Sequence, residues 1–135
     1  MIVLDCSAAV NIARKTLEGK ALHALMLEGE TTISSELLPI EAASAFRKYV
    51  RANALDEDTA KAYLIATVAL VDEFVPIQEN YIEAFHESLR LKHSVYDMLY
   101  FTLARRNAAT LVTLDAKLMG LCDEQGVDCI QEIDF

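Results

Sequence analysis

The stretch Ile2-Val3-Leu4-Asp5-Cys6-Ser7 places an acidic residue directly after a short apolar run. The same arrangement recurs in Thr110-Leu111-Val112-Thr113-Leu114-Asp115, the last strongly apolar segment of the chain. Short apolar runs that contain β-branched residues predict buried strands. Asp5 and Asp115 therefore lie at the carboxyl ends of two predicted strands, which is where open α/β sheets bind their ligands.

The sequence between these two runs alternates between strand and helix patterns. We predict strands at 2–5, 31–34, 75–77, 110–114 and 127–131. We predict helices at 7–16, 19–28, 37–53, 56–74, 79–92, 94–107 and 116–125. Gly19 and Gly29 are expected to end or interrupt helices, and the 75–77 strand is expected at a sheet edge because it contains Pro76. Helical connections between strands imply crossovers, so the sequence predicts an α/β fold with a parallel sheet covered on both faces.

The composition fits one domain spanning residues 1–135, with 53% hydrophobic residues and few glycines or prolines. No signal-peptide pattern is visible, and the most apolar segment, Ala62–Val71, is too short to span a bilayer. We therefore expect a soluble, cytoplasmic protein. The three cysteines form no zinc pattern and are interpreted as buried, reduced thiols.

The net charge of −9 is unusual for a protein that binds nucleic acid. Bound metal ions would neutralise part of this charge. The positive charges are also clustered, at Arg14-Lys15, Arg47–Arg51, Arg90–Lys92 and Arg105-Arg106. The acidity equally suits a protein partner that carries a basic segment.

Two further acidic residues, Glu41 and Asp97, lie near the starts of long helical patterns among apolar neighbours. If they meet Asp5 and Asp115 in one pocket, the four carboxylates repel one another strongly. Such a group stays ionised around hard cations, which prefer oxygen ligands. The pattern therefore indicates a site for Mg²⁺ or Mn²⁺, and phosphate-ester chemistry is the usual work of such sites.

Each carboxylate also has an ordinary structural explanation. Asp5 and Asp115 could cap the helices that follow them, and Asp97 has capping-box spacing from Ser94. Glu41 could be an exposed glutamate at a helix start. Capping and a place in the pocket are compatible.

Other kinds of site find no support in the sequence. The chain has no Walker A loop and no Gly-x-Ser-x-Gly nucleophile elbow. His23, His86 and His93 have no metal-ligand spacing and are interpreted as surface or helix-side histidines.

These acidic segments resemble the PIN domain, most closely the VapC-type toxins of toxin–antitoxin pairs. Order and spacing fit over essentially the whole chain. The Tyr-Asp-x-x-Tyr core and the Thr-x-Asp ending are the most specific parts. The matching stretches are Met1–Ser7, Leu38–Phe46, Ser94–Ala104 and Leu111–Leu118.

The resemblance implies a PIN-like three-layer α/β/α sandwich with a central, mostly parallel sheet of about five strands. It also implies a Mg²⁺- or Mn²⁺-dependent endoribonuclease toxin with four catalytic carboxylates, Asp5, Glu41, Asp97 and Asp115. Asp5, Asp97 and Asp115 would hold the metal, and Glu41 would complete the quartet. The residues expected to support them by hydrogen bonds are Ser7, Thr113 and Ser94.

The resemblance further implies an RNA substrate such as tRNA or rRNA, a cognate antitoxin with a basic segment, and a homodimer. Two alternatives remain open, a housekeeping PIN-domain nuclease in RNA processing and a non-catalytic module whose acidic pocket receives a basic peptide. The helix predicted at 56–74 carries two apolar stripes. It is therefore either well buried or the wall of a partner groove or dimer face.

Overall fold

Four parallel strands form the centre of the computed structural model, which describes residues 1–26 and 28–130. They are β1 (Ile2–Leu4), β2 (Thr32–Ser35), β3 (Glu73–Val75) and β4 (Thr110–Val112). Their order across the sheet is β3-β2-β1-β4. Every neighbouring pair is parallel, so each connection is a crossover. The predicted parallel α/β sheet is confirmed.

Helices supply these crossovers. They are α1 (Cys6–Arg14), α2 (Leu17–Leu25), α3 (Leu38–Arg51), α4 (Glu57–Ala69), α5 (Tyr81–Leu91), α6 (Val95–Asn107) and α7 (Ala116–Gln125). A short 3-10 turn at Ile77–Glu79 precedes α5. Helix α1 packs on α2, α3 and α4, and α3 packs on α4. In contrast, α6 packs against β1, β2 and β4 and contacts α5 and α7. The architecture is the predicted three-layer α/β/α sandwich.

Helix α6 is the most enclosed helix among the described residues. Seven consecutive residues, Met98–Ala104, are buried. A helix that is apolar on nearly every side belongs inside a protein, as its sequence predicts. The buried run starts directly after Asp97, which is itself half-buried.

The predicted fifth strand is shorter than expected. Cys129 forms an isolated parallel bridge with Leu111 of β4, and the Leu111 amide donates to the Asp128 carbonyl at 2.8 Å. Gln131, the last residue of the predicted strand, lies outside the described residues. The sheet thus has four strands and a single bridge at its β4 edge, rather than five full strands.

The predicted helix at 56–74 was too long, because strand pairing ends it early. The Asp72 amide donates to the Thr32 carbonyl at 2.8 Å, and the Thr32 amide donates to the Asp72 carboxylate at 2.8 Å. These bonds start the pairing of β3 with β2, so Phe74 lies in a strand. The predicted 75–77 strand lies at 73–75 instead, at the sheet edge as expected, with Pro76 just after it.

Helix α4 is buried on one side and exposed on the other. Thr67 is buried, and Tyr63 packs on a second apolar cluster that includes Phe46. On the outer side Ile65 is 61% exposed. Within the described residues, no helix combines the length and apolar character needed to cross a membrane.

Gly19 does not interrupt a helix, contrary to the prediction. It lies in the first turn of α2, where its amide donates to the capping hydroxyl of Thr16 at 3.0 Å. A Cβ at this position would come within 2.0 Å of the Asn11 carbonyl oxygen. The glycine therefore permits the close approach of α1 and α2, and the break lies at Lys15, whose φ is 57°.

Candidate functional site

Asp5 and Asp115 occupy equivalent places in the fold. Each follows the carboxyl end of one of the neighbouring strands β1 and β4, and each is the N-cap of the next helix. Asp5 accepts from the Ala8 amide at 2.9 Å. Asp115 accepts from the amides of Lys117 and Leu118 at 2.9 and 3.2 Å. The capping explanation is thus confirmed for both residues, and it coexists with their convergence.

The Asp5 carboxylate is buried, with 3% of the residue exposed. Besides the Ala8 amide, it accepts from the Ser7 hydroxyl at 2.8 Å and from the Thr113 hydroxyl. Burial raises the pKa of Asp5 to about 6, and the nearby charge of Asp97 contributes, although the three hydrogen bonds oppose the shift. Asp5 is therefore a fixed carboxylate that binds a proton more readily than an exposed aspartate does.

Hydroxyl groups join the two strand–helix junctions. The Leu114 amide donates to Ser7 Oγ at 3.0 Å, and the Asp115 amide donates to Thr113 Oγ1 at 3.0 Å. Thr113 thus contacts both acidic caps, through its donated bond to Asp5 and its accepted bond from Asp115. Movement of one junction would disturb the other.

Glu41 reaches the site from the first turn of α3. The Tyr100 hydroxyl donates to Glu41 Oε1 at 2.6 Å. Burial raises the pKa of Glu41, the Tyr100 hydrogen bond lowers it, and the charge of Asp97 raises it again. Glu41 is half-buried rather than an exposed glutamate. The contact between Tyr100 and Glu41 was not predicted, although Tyr100 is three residues after Asp97 and therefore on the same face of α6.

Asp97 lies in the first turn of α6, and its carboxylate contacts a histidine. His93 Nε2 is 2.8 Å from Asp97 Oδ2. The interpretation of His93 as a surface or helix-side residue missed this contact, since its side chain is only 13% exposed. The available signal was the spacing of four residues between the two. Ser94, expected to support the carboxylates, is exposed and caps α6 through the Tyr96 amide at 3.2 Å.

All four predicted carboxylates line one cavity of about 340 Å³. Its other walls include Ser7, Tyr100, Ser44 and Lys48. The thiol of Cys6 also faces it, and burial together with the charge of Glu41 raises the pKa of that thiol to about 12. The thiol therefore stays protonated, and the carboxylates dominate the chemistry of the cavity.

The donor atoms that line the cavity, together with His93, suit a divalent cation. One ligand atom each from His93, Asp97 and Asp115 lies within 4.8 Å of the other two. Asp97 and Asp115 belong to the predicted metal trio, whereas the histidine was not predicted. Asp5 lines the same cavity. Its two carboxylate oxygens have about four lone-pair sites, and three of these accept hydrogen bonds. Several carboxylates with little compensating positive charge are the donor set that Mg²⁺ and Mn²⁺ require.

Comparison with known proteins finds relatives of this chain. No protein-family model matches the chain. Ribonuclease VapC1 of Mycobacterium tuberculosis is 34% identical over 122 residues, covering 86% of this chain and 86% of that protein. Ribonuclease VapC12 of the same organism is 30% identical over 118 residues, covering 87% of this chain and 89% of that protein.

A solved structure agrees at the level of the fold. The crystal structure of PAE2754 from Pyrobaculum aerophilum matches with a TM-score of 0.68 at 22% identity. The match covers 88% of this chain and 84% of the other. Taken with the sequence relatives and the expected PIN-like architecture, these similarities show that the chain belongs to the VapC family of PIN-domain toxins.

Proposed function

We propose that this protein is a Mg²⁺- or Mn²⁺-dependent endoribonuclease that acts as the toxin of a toxin–antitoxin pair. The observation that carries the proposal is the meeting of Asp5, Glu41, Asp97 and Asp115 in one cavity at the carboxyl ends of β1 and β4. The names of the two mycobacterial relatives, both ribonucleases, support the same activity.

In this proposal Asp5, Asp97 and Asp115 hold the cation, and Glu41 completes the acidic quartet. When bound, a divalent cation supplies positive charge to the phosphate oxygens and lowers the pKa of water toward neutrality. Asp5 keeps its position through the bonds from Ser7, Ala8 and Thr113.

Substrate positioning falls to the cavity walls. Lys48 lines the cavity beside the acidic residues and can neutralise a phosphate of the RNA backbone. The Tyr100 hydroxyl fixes the Glu41 carboxylate through a hydrogen bond of 2.6 Å.

Hydrolysis forms a bond from the water oxygen to phosphorus and breaks the bond from phosphorus to the 3′ oxygen. The products therefore carry a 5′-phosphate and a 3′-hydroxyl.

The partners follow from the charge and the surface. A structured RNA such as tRNA or rRNA is the proposed substrate. The proposed antitoxin offers a basic segment to the acidic cavity and covers the outer side of α3 and α4, where Ile40 and Ile65 are exposed. We also propose a homodimer, for which α5 offers the exposed side chains of Tyr81, Phe85 and Leu89. The cytoplasm is the proposed place of action.

The decisive experiment measures cleavage of total cellular RNA by the purified protein, with 5′ ends mapped. We expect cleavage with Mg²⁺ or Mn²⁺, no cleavage in EDTA, and no cleavage by Asp97→Asn. Asp58→Asn is the matched control, because Asp58 also lies in the first turn of a helix but is exposed and away from the cavity. Full cleavage in EDTA, or by a folded Asp97→Asn variant, would contradict the proposal.

The same proteins separate the two alternatives. A non-catalytic binding module would bind a basic peptide in the acidic cavity but cleave no RNA with any metal. A housekeeping nuclease would cleave RNA, but its gene would have no small antitoxin gene beside it, and its expression would not arrest growth.

A further inference from the structure

We propose that His93 is a direct ligand of the divalent cation, together with Asp97 and Asp115. The metal centre would then contain nitrogen as well as oxygen ligands, and it would favour Mn²⁺ over Mg²⁺. This inference rests on the proposed function to the extent that the acidic cavity must bind a divalent cation.

The distance between the two nearest donor atoms fits shared coordination. His93 Nε2 and Asp97 Oδ2 are 2.8 Å apart. An octahedral ion with bonds of about 2.0–2.1 Å places adjacent ligand atoms about 3 Å apart. A cation could therefore take both atoms with little movement of either side chain. Asp115 supplies a third ligand atom within 4.8 Å of these two.

The fold holds the imidazole in this place. Helix α5 ends at Leu91, and its C-cap residue, Lys92, adopts the left-handed conformation with φ of 53°. The chain reverses there, and the His93 amide donates to the Ser88 carbonyl at 3.1 Å. The reversal brings the His93 side chain against the first turn of α6, where only 13% of it is exposed. The imidazole is thus fixed beside the carboxylate before any cation arrives.

The identity of the ligand determines the metal preference. Imidazole nitrogen suits first-row transition ions, whereas Mg²⁺ prefers oxygen ligands and water. A rival explanation gives His93 the opposite effect. A positively charged imidazole paired with Asp97 would occupy the carboxylate and exclude the cation. If His93 is a ligand, replacing it lowers the affinity for the cation. If its charged imidazole competes with the cation, replacing it raises that affinity.

The test uses Mn²⁺ alone as the probe, with the whole protein and no RNA. Pulsed electron paramagnetic resonance of bound Mn²⁺ detects directly coordinated nitrogen. We expect imidazole nitrogen modulation in the wild type and in His86→Gln, and its loss in His93→Gln. His86 is the matched control because it is an exposed histidine on α5, the helix just before His93.

Calorimetric titration gives the second measurement. Glutamine can still donate a hydrogen bond to Asp97 but offers the cation only an amide oxygen. We expect the affinity for Mn²⁺ to fall about 10- to 100-fold in His93→Gln. The affinity for Mg²⁺ should fall much less, so the preference for Mn²⁺ narrows.

The outcomes distinguish this inference from the proposed function. Mn²⁺ bound to the wild type without nitrogen modulation, or bound more tightly after His93→Gln, would overturn the role of His93. Metal-dependent RNA cleavage would then still stand. Failure of the wild type to bind Mn²⁺ or Mg²⁺ at all, with no cleavage, would overturn both.

Discussion

The two strand–helix junctions of the site, β1–α1 and β4–α7, use the same local design with different surroundings. In both, an aspartate follows a strand of the parallel sheet and caps the next helix. Asp5 is buried and accepts bonds from Ser7, Ala8 and Thr113. Asp115 is half-buried and accepts bonds from the first turn of its own helix.

One motif thus yields two kinds of carboxylate. The pKa of Asp5 is raised to about 6 by burial, and hydrogen bonds fix its position. Asp115 lies on the more open side of the site, where one of its carboxylate oxygens is within 4.8 Å of ligand atoms of His93 and Asp97. We infer that the inner carboxylate sets the electrostatics of the cavity and that the outer one is available to a cation.

The largest expected effect is the loss of cleavage when the outer cap is changed. Asp115→Asn should lower the rate of RNA cleavage about 10³-fold, which corresponds to several kcal/mol of lost metal assistance. Its free energy of unfolding should change by less than about 1 kcal/mol, because asparagine is as good an N-cap as aspartate. Single-turnover cleavage and urea unfolding of the same preparation check both. A strongly destabilised variant would show that Asp115 is chiefly structural.

The inner cap should show the opposite stability signature. Burial raises the pKa of Asp5 from its ordinary value of 3.8 to about 6, so the folded state binds the proton more tightly than the unfolded state. The free energy of unfolding therefore falls as pH rises from about 4 to about 6, and it stays lowered above that range. The cost at pH 7 is about 3 kcal/mol.

Asp5→Asn removes the charge, so the metal-free variant should be more stable than the wild type at pH 7.5. This gain in the free energy of unfolding should vanish near pH 4. Urea unfolding in EDTA at the two pH values measures it, with Asp115→Asn as the matched control. Equal stability of wild type and Asp5→Asn at both pH values would show that the buried charge carries no such cost.

Thr113 tests the connection between the two caps. Thr113→Val keeps the shape but removes the hydroxyl that bonds both Asp5 and the Asp115 amide. We expect a loss of about 2 kcal/mol in stability and about a 10- to 100-fold loss of cleavage. Thr113→Ser keeps the hydroxyl and is the control. If the valine and serine variants behave alike, the two junctions are not coupled through this side chain.

The smallest effect concerns a carboxylate that caps no helix. Tyr100→Phe removes the hydroxyl that holds Glu41 and should lower cleavage about tenfold, with about 1 kcal/mol lost in stability. Tyr96→Phe, at an exposed tyrosine on the same helix, should leave both unchanged. If Tyr100→Phe lowers cleavage more than Thr113→Val does, the position of Glu41 matters more to cleavage than the connection between Asp5 and Asp115.

The parts of the site that follow from local sequence were predictable. An apolar run, an aspartate and a helix occur together at residues 2–14 and again at 110–125, and each can be read without knowledge of the rest of the chain. Crossover connections then imply parallel strands, which bring their carboxyl ends to one edge. The convergence of Asp5 and Asp115 follows from these two steps.

The unpredicted parts depend on contacts between distant segments. The position of His93 depends on the reversal at Lys92, and the bond from Tyr100 to Glu41 joins α6 to α3, two helices far apart in the sequence. The early end of α4 depends on Asp72 pairing with Thr32. Apolar periodicity carries no information about such partners, so the sequence predicted a longer helix.

The bond from the Leu114 amide to Ser7 Oγ has a consequence for how the site opens. It lies just beyond the last backbone bond of the junction, from the Asp5 amide to the Val112 carbonyl. The side chain of Ser7 thus extends the pairing of the two chains past the end of the sheet. Opening the cavity between these junctions requires breaking that bond, which exposes one identifiable amide to solvent. Hydrogen–deuterium exchange at Leu114 therefore reports opening of the site without substrate, and bound metal should slow it.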